Sequence, residues 1–185
     1  MSEPAVQGSC MDSLQNGDTS FVTERLVLGA LTVHDADEMV DVLDDERLHE
    51  FTGGRPDTLS ELRDRYRRYV VGPTEPGDVW LNWIVRSAHD GAAIGFVQAT
   101  VSTLSGVRTV ADVAWVIGVA WQGQGYASEA ARALVDWLRT HGVDEVTAHI
   151  RPDHHASASV ASRAGLHPTD EVVGGEIVWR LTKTR

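Results

Sequence analysis

The sequence predicts a single domain of mixed α/β (α+β) architecture. The hydrophobic period changes along the chain in the order βαα, βββ, αβα and β, without an internal repeat or a linker. The 185 residues suffice for one compact core, and 42% hydrophobic with 23% charged residues is typical of an ordered globular protein. We expect this domain to span residues 21–185, after a flexible polar leader at residues 1–20 that lacks periodicity.

The first part of the domain is predicted to contain one strand and two helices. Alternating apolar residues over Phe21–Leu31 indicate the strand. Thr32 with Asp35, and Thr58 with Glu61, match the pattern that caps the N-terminus of a helix. The second helix carries four arginines, which form either a solvated face or an anion site: Arg63, Arg65, Arg67 and Arg68.

Three antiparallel strands should follow, over Val79–Val85, Ala93–Val101 and Arg108–Val119, with the first turn at His89–Gly91. The rest of the chain is predicted to form four elements: a helix over Tyr126–His141 ended by Gly142, a strand over Val143–Ile150, a short helix capped by Asp153, and a last strand over Glu176–Leu181.

Composition excludes several classes of function. With 27 acidic and 16 basic residues the net charge is −11, which disfavours nucleic-acid binding and leaves room for an amine substrate. The single cysteine, Cys10, rules out an intrachain disulfide and a thiolate zinc site, and no metal site is expected. No apolar run approaches the roughly 20 residues of a membrane span, and the N-terminus lacks a signal-peptide pattern. Cytoplasm is the simplest location.

The most informative stretch is Trp115–Ala131, where an apolar run meets a glycine-rich turn that opens a helix. Free N–H groups and the helix dipole make such a turn suitable for an anion. Ser128 occupies the third glycine position of a dinucleotide-binding fingerprint, and the Gly-Lys-Ser/Thr of a Walker loop is missing. Spacing alone leaves two readings: a phosphate site, or a plain turn that needs glycine for its backbone angles.

Three segments carry a family resemblance. Gln122-x-x-Gly125-x-Ala127 resembles the Q/R-x-x-G-x-G/A signature of the GNAT superfamily of N-acetyltransferases. Thr23–Leu28 resembles the T-x-R-L-x-L start of the subgroup that contains the ribosomal-protein N-terminal acetyltransferases. Pro152–Ser157 and Ala164–Leu166 resemble the P-x-N-x-x-S…L-G-F segment of that subgroup. The resemblance extends from about Val22 to Leu181.

The resemblance implies a twisted, mostly antiparallel sheet with a central pair of splayed parallel strands, here the strand ending near Val119 and the strand Glu145–Ile150. Acetyl-CoA would lie between them as co-substrate, with its pyrophosphate on the glycine turn. The residues implied to bind acetyl-CoA are Trp115, Val116, Ile117, Gln122, Gly123, Gln124, Gly125, Tyr126, Ala127, Ser128 and His154.

The resemblance also implies direct transfer of acetyl from the thioester to an amine, which must be neutral to attack. Asp112 is a candidate base acting through water, or an anchor for the amine. Ser157 is a candidate acid for the leaving thiolate, or a helix cap. Two positions depart from the family pattern: His154 replaces asparagine, and Ala161 replaces the commoner tyrosine.

The predicted function is therefore acetylation of a primary amine on a small molecule or a protein N-terminus. Two alternatives belong to other classes: a non-catalytic acyl-CoA sensor, and an interaction protein that uses the arginine-rich helix. A homodimer is compatible with the sequence, and neither nucleic acid nor a membrane is an expected partner.

Overall fold

The computed structural model describes residue 14 and residues 19–51, 53–74, 77–104 and 107–182. The strands are β1 Phe21–Val22, β2 Leu26–Ala30, β3 Asp78–Ser87, β4 Ala93–Leu104, β5 Arg108–Ile117, β6 Glu145–Ile150, β7 His167–Val173 and β8 Glu176–Thr182. The helices are α1 Ala36–Val42, α2 Leu59–Val71, α3 Tyr126–Thr140 and α4 His155–Arg163. The order of elements confirms a mixed α/β fold.

All eight strands of the described residues form one sheet in the order β1-β2-β3-β4-β5-β6-β8-β7. Every neighbouring pair is antiparallel except β5 and β6. Their parallel register covers three pairs and ends at Asp112 and Thr147, whereas β5 continues to Ile117 and β6 to Ile150. The two strands therefore diverge, which confirms the predicted mostly antiparallel sheet with a splayed parallel pair.

Helices cover both faces of the sheet, and each face has its own apolar core. The larger core packs α3 and α4 against the sheet, with Trp83, Leu134 and Leu138 fully buried. The smaller core packs α1 and α2 against the other face through Met39 and Leu62. Burial of apolar area, worth about 25 cal/mol per Å², holds the helices on the sheet and so places their ends around the divergence of β5 and β6.

The predicted strand Phe21–Leu31 is wrong as a single element. The chain turns at Thr23, whose N–H donates to the Leu26 carbonyl (2.9 Å) and whose hydroxyl accepts from the Leu26 N–H (3.0 Å). β1 therefore folds back on β2 as a short antiparallel hairpin. Local side-chain hydrogen bonding by threonine competes here with a continuous strand.

Strand β7 was not predicted. It is an edge strand in which six of seven residues are exposed, so the alternation that reveals a half-buried strand is missing. Gly174 and Gly175, with φ of 60° and 88°, form the turn to β8. Such a glycine pair matches the tight turns that the twist of a hairpin favours.

Both predicted capping pairs are formed: the Asp35 carboxylate accepts from the Thr32 N–H at 2.7 Å, and the Glu61 carboxylate accepts from the Thr58 N–H at 2.8 Å. Asp153 does not cap its helix, because its carboxylate pairs with Arg151 and His154 is the residue before the helix.

Most of the predicted leader, including Cys10, lies outside the described residues. Of the rest, Leu14 is buried, and the Thr19 carbonyl accepts from the Trp83 indole N–H at 2.6 Å. None of the helices described above combines the length and apolar character that a membrane crossing needs.

Candidate active site

A cleft of about 770 Å³ opens where β5 and β6 diverge. Its walls are Val113–Ile117 of β5, Ala148–Ile150 of β6, the glycine turn with the start of α3, and one side of α4 from His155 to Arg163. Residues 47–51, between α1 and α2, close one end, with Phe51 among the lining side chains. The cleft thus joins the glycine turn to the point where the parallel register ends.

The glycine turn presents backbone donors to this cleft. Gly123 and Gly125 have φ of 74° and 84°, a conformation that strongly favours glycine, and Gly125 immediately precedes α3. The first bond inside the helix runs from the Glu129 N–H to the Gly125 carbonyl at 3.1 Å. The N–H groups of the preceding residues therefore have no acceptor within the helix, and Gly125–Ser128 form part of the cleft wall.

Ten of the eleven predicted acetyl-CoA residues line the cleft, and Gln124 does not.

Two glutamine side chains stabilise the turn through hydrogen bonds to backbone carbonyls. The Gln122 amide donates to the Ile117 carbonyl at 2.9 Å, and the Gln124 amide donates to the Ala120 carbonyl at 3.4 Å. Both side-chain amides thus stabilise the backbone of the turn by hydrogen bonds to its carbonyls. The backbone N–H groups of the turn are the donors that remain for a ligand.

β5 offers a free backbone edge to the cleft. Its residues Trp115, Val116 and Ile117 pair with β4 on one side, in register with Val97, Phe96 and Gly95. On the other side the register with β6 has already ended. Apart from the Ile117 carbonyl, which accepts from Gln122, their outward N–H and C=O groups can therefore pair with an extended ligand as an added strand would.

His154 and Ser157 form a hydrogen-bonded pair at the start of α4. The Ser157 Oγ lies 2.9 Å from His154 Nε2, and the imidazole stacks on Phe51 with 3.9 Å between ring centroids and an interplanar angle of 9°. Burial lowers the pKa of His154, although Asp153 and Glu50 oppose this shift. Burial thus favours the neutral ring, whose Nε2 accepts a hydrogen bond from the Ser157 hydroxyl or donates one to it, depending on the tautomer. Ala161 is fully buried in the core.

Asp112 lies at the last parallel pair, where the V between the strands opens. Its Oδ1 accepts from the Thr147 hydroxyl at 3.2 Å and is 3.7 Å from His149 Nε2. Desolvation by surrounding protein raises the pKa of Asp112; His149 and Thr147 lower it, and Glu176 raises it. The carboxylate itself is outside the cleft wall, whereas His149 is part of it. An acid–base pair therefore lies beside the opening.

Sequence reasoning missed His149 as the partner of Asp112. The signal was present, because His149 is two residues from Thr147 and so shares its face of β6. Residues 47–51 were also missed, since nothing in their local pattern connects them to α4.

The arginine-rich face of α2 is engaged in ion pairs: Arg63 with Asp37 (2.7 Å), Arg65 with Asp57 and Arg67 with Asp64.

Across the described residues, no group of three His, Cys, Asp or Glu side chains is arranged to hold a metal ion.

The profile of the acetyltransferase (GNAT) domain matches residues 25–167. The chain therefore belongs to the GNAT acetyltransferase family, and it is an acyltransferase. No curated protein matches it by sequence.

Solved structures share the fold at low identity. An acetyltransferase from Agrobacterium tumefaciens is 23% identical with a TM-score of 0.67, over 90% of this chain and 96% of that one. The aminoglycoside acetyltransferase AAC(6')-Ib, in complex with paromomycin and acetyl-CoA, is 19% identical with a TM-score of 0.70, over 86% and 94%. RimL, a ribosomal L7/L12 α-N-protein acetyltransferase in complex with coenzyme A, is 14% identical with a TM-score of 0.70, over 88% and 96%.

Proposed function

We propose that this protein transfers acetyl from acetyl-CoA to the primary amine of a small molecule or a protein N-terminus. One observation carries the proposal: the free N–H groups at the start of α3 and the free edge of β5 open onto the same cleft. Those two features suit the two parts of the donor, an anionic pyrophosphate and an extended pantetheine chain. The aminoglycoside enzyme and RimL, which share the fold, bind acetyl-CoA or CoA.

In this proposal the pyrophosphate binds the N–H groups from Gly125 to Ser128, which form part of the cleft wall, and Gln122 and Gly123 shape its approach. The pantetheine pairs with Trp115–Ile117, and His154 borders it from α4. The thioester then lies where β5 and β6 diverge, near Asp112 and Ser157. This order follows from the continuity of the cleft wall from the glycine turn to β6.

The reaction needs one proton removed from the amine and one delivered to sulfur. The neutral amine nitrogen attacks the thioester carbonyl, a C–N bond forms, and the C–S bond breaks with its electron pair remaining on sulfur. Asp112 and its neighbour His149 take the amine proton through a water molecule, and Ser157, hydrogen-bonded to His154, supplies a proton to the thiolate. His154 passes its ring N–H proton to the serine and takes up a proton from solvent at its other ring nitrogen, so that the serine and the imidazole both end neutral.

The acceptor would approach from the face of the sheet that carries Asp112, Thr147 and His149, next to α1 and α2. A carboxylate at this position also attracts an ammonium group before it loses its proton. The aminoglycoside enzyme and RimL act on a small amine and a protein respectively, so both acceptor classes belong in the test.

The test is a mass-spectrometric screen for acetylated products over a panel of small amines and peptides, with release of CoA thiol measured in parallel. We expect saturable thiol release with at least one acceptor. Normal acetyl-CoA binding without turnover across the panel would contradict the proposal and favour the sensor alternative, which Ala161 and His154 motivate as departures from the family pattern.

A further inference from the structure

Arg25 contacts the glycine turn from about one hundred residues away in sequence. Its Nη1 donates to the Gln124 carbonyl at 3.1 Å, its Nε donates to the Glu129 carboxylate at 2.7 Å, and its Nη2 lies 2.6 Å from the same carboxylate. Its guanidinium carbon is 4.6 Å from the centroid of the Tyr126 ring. One side chain thus contacts Gln124, the residue before Gly125, and Tyr126 and Glu129 in the first turn of α3.

Glu129 completes this anchor. Besides the guanidinium, its carboxylate accepts from the Arg25 backbone N–H at 3.0 Å and from the Thr23 hydroxyl at 2.5 Å. Burial alone would raise the pKa of Glu129, but these hydrogen bonds and the charge of Arg25 outweigh it and lower the pKa. The arginine therefore neutralises a carboxylate in the first turns of α3 that would otherwise repel an anion at that helix end.

The bond to the Gln124 carbonyl has a geometric consequence. In a trans peptide the C=O and the following N–H point in opposite directions. A carbonyl of Gln124 that points to Arg25 therefore directs the Gly125 N–H away from Arg25, and Gly125 forms part of the cleft wall. Without the guanidinium, this peptide could rotate, because glycines at 123 and 125 restrict it little.

We propose that Arg25 is a positioning residue for the CoA pyrophosphate, which orients the Gln124–Gly125 peptide so that the Gly125 N–H faces the bound anion. This inference rests on the proposed function. Arg25 is not part of the cleft wall, and its Nε, Nη1 and Nη2 atoms already contact Gln124 and Glu129. Its effect on the donor is therefore exerted through the turn and not by direct contact.

The experiment measures binding of CoA and of pantetheine, which lacks the pyrophosphate, to the full chain by calorimetry or by quenching of tryptophan fluorescence. Loss of one charge-assisted hydrogen bond predicts about 10-fold weaker CoA binding for Arg25→Ala. Pantetheine affinity should change less than about 2-fold, because the pantetheine edge of β5 is not held by Arg25. Arg25→Lys should also lose affinity for CoA, since one ammonium cannot reproduce the guanidinium fork.

Arg67→Ala is the matched control, because it removes an exposed arginine–aspartate pair on α2, away from the cleft. Its affinity for both compounds should equal that of the wild type. If Arg25→Ala does not fold, as judged by circular dichroism, the double variant Arg25→Ala with Glu129→Gln replaces it, because it leaves no unpaired carboxylate, and it should show the same selective loss for CoA.

Four results would overturn the inference. Equal CoA affinity of wild type and Arg25→Ala would remove the role of Arg25 and leave the proposed function intact. Parallel losses for CoA and pantetheine would indicate a general structural effect, and wild-type affinity in Arg25→Lys would indicate that only the charge matters. A wild type that does not bind CoA would overturn the proposed function and this inference with it.

Discussion

Substitution of Gly125 by alanine tests whether the backbone conformation of the turn supports donor binding. Gly125 has φ of 84°, and an added Cβ would have Arg25 Nη2 as its nearest described neighbour, at 3.5 Å, an ordinary contact. The cost is therefore conformational and not steric, about 1–2 kcal/mol for an L-residue in the left-handed region. We expect Gly125→Ala to lower the free energy of unfolding by that amount.

The same strain should affect binding. If the turn relieves it by changing φ, the N–H groups at the start of α3 lose their common direction, and CoA binding weakens by up to about 10-fold, the equivalent of 1.4 kcal/mol. Urea unfolding gives the stability change, and titration with CoA gives the affinity.

Gly174→Ala is the matched control, because Gly174 also has positive φ (60°) and an added Cβ there would meet nothing within 4 Å. It lies in the β7–β8 turn, outside the cleft wall. Its stability loss should be similar and its CoA affinity unchanged. Wild-type affinity in Gly125→Ala would refute the assignment of this turn to the pyrophosphate, and an unchanged unfolding free energy would refute the conformational argument.

Three further predictions concern catalysis and pH. Asp112→Asn should lower kcat/KM about 100-fold, as loss of a general base does, with unchanged CoA affinity by calorimetry; full activity would remove Asp112 from the mechanism. Ser157→Ala should lower kcat by at least about 10-fold in steady-state assays, whereas the exposed Ser162→Ala should not; equal rates would contradict the acid role. Hydrogen bonds from Arg55 and Thr58 lower the pKa of Glu61 from 4.5 to about 2. Because the folded-state pKa is depressed, Glu61 stabilises the fold above the unfolded pKa, and this contribution is lost as pH falls toward 2. Glu61→Gln should therefore flatten the thermal stability profile between about pH 4.5 and 2, and an unaltered profile would contradict the assigned pair.

Local patterns explain which elements were predictable. The ends of helix α3 are predictable because a glycine turn precedes it and Gly142, with φ of 92°, follows it. The capping pairs at Thr32 and Thr58 depend on residues three apart, so they too are visible in sequence. β7 was missed because an exposed edge strand has no hydrophobic alternation, although Gly174–Gly175 is a turn signal that points to it.

The amino-acid sequence by itself determined the fold class, the family and the glycine turn before α3, because those depend on periodicity and on short motifs whose members are neighbours in the chain. Only the tertiary structure decided which side chains meet: His149 with Asp112, His154 between Phe51 and Ser157, and Arg25 with the peptide before Gly125. These contacts join residues on different elements, and the packing of helices on a twisted sheet sets their distances. The glycine turn is thus readable in the sequence, whereas the contacts among the residues around it are set by the tertiary structure.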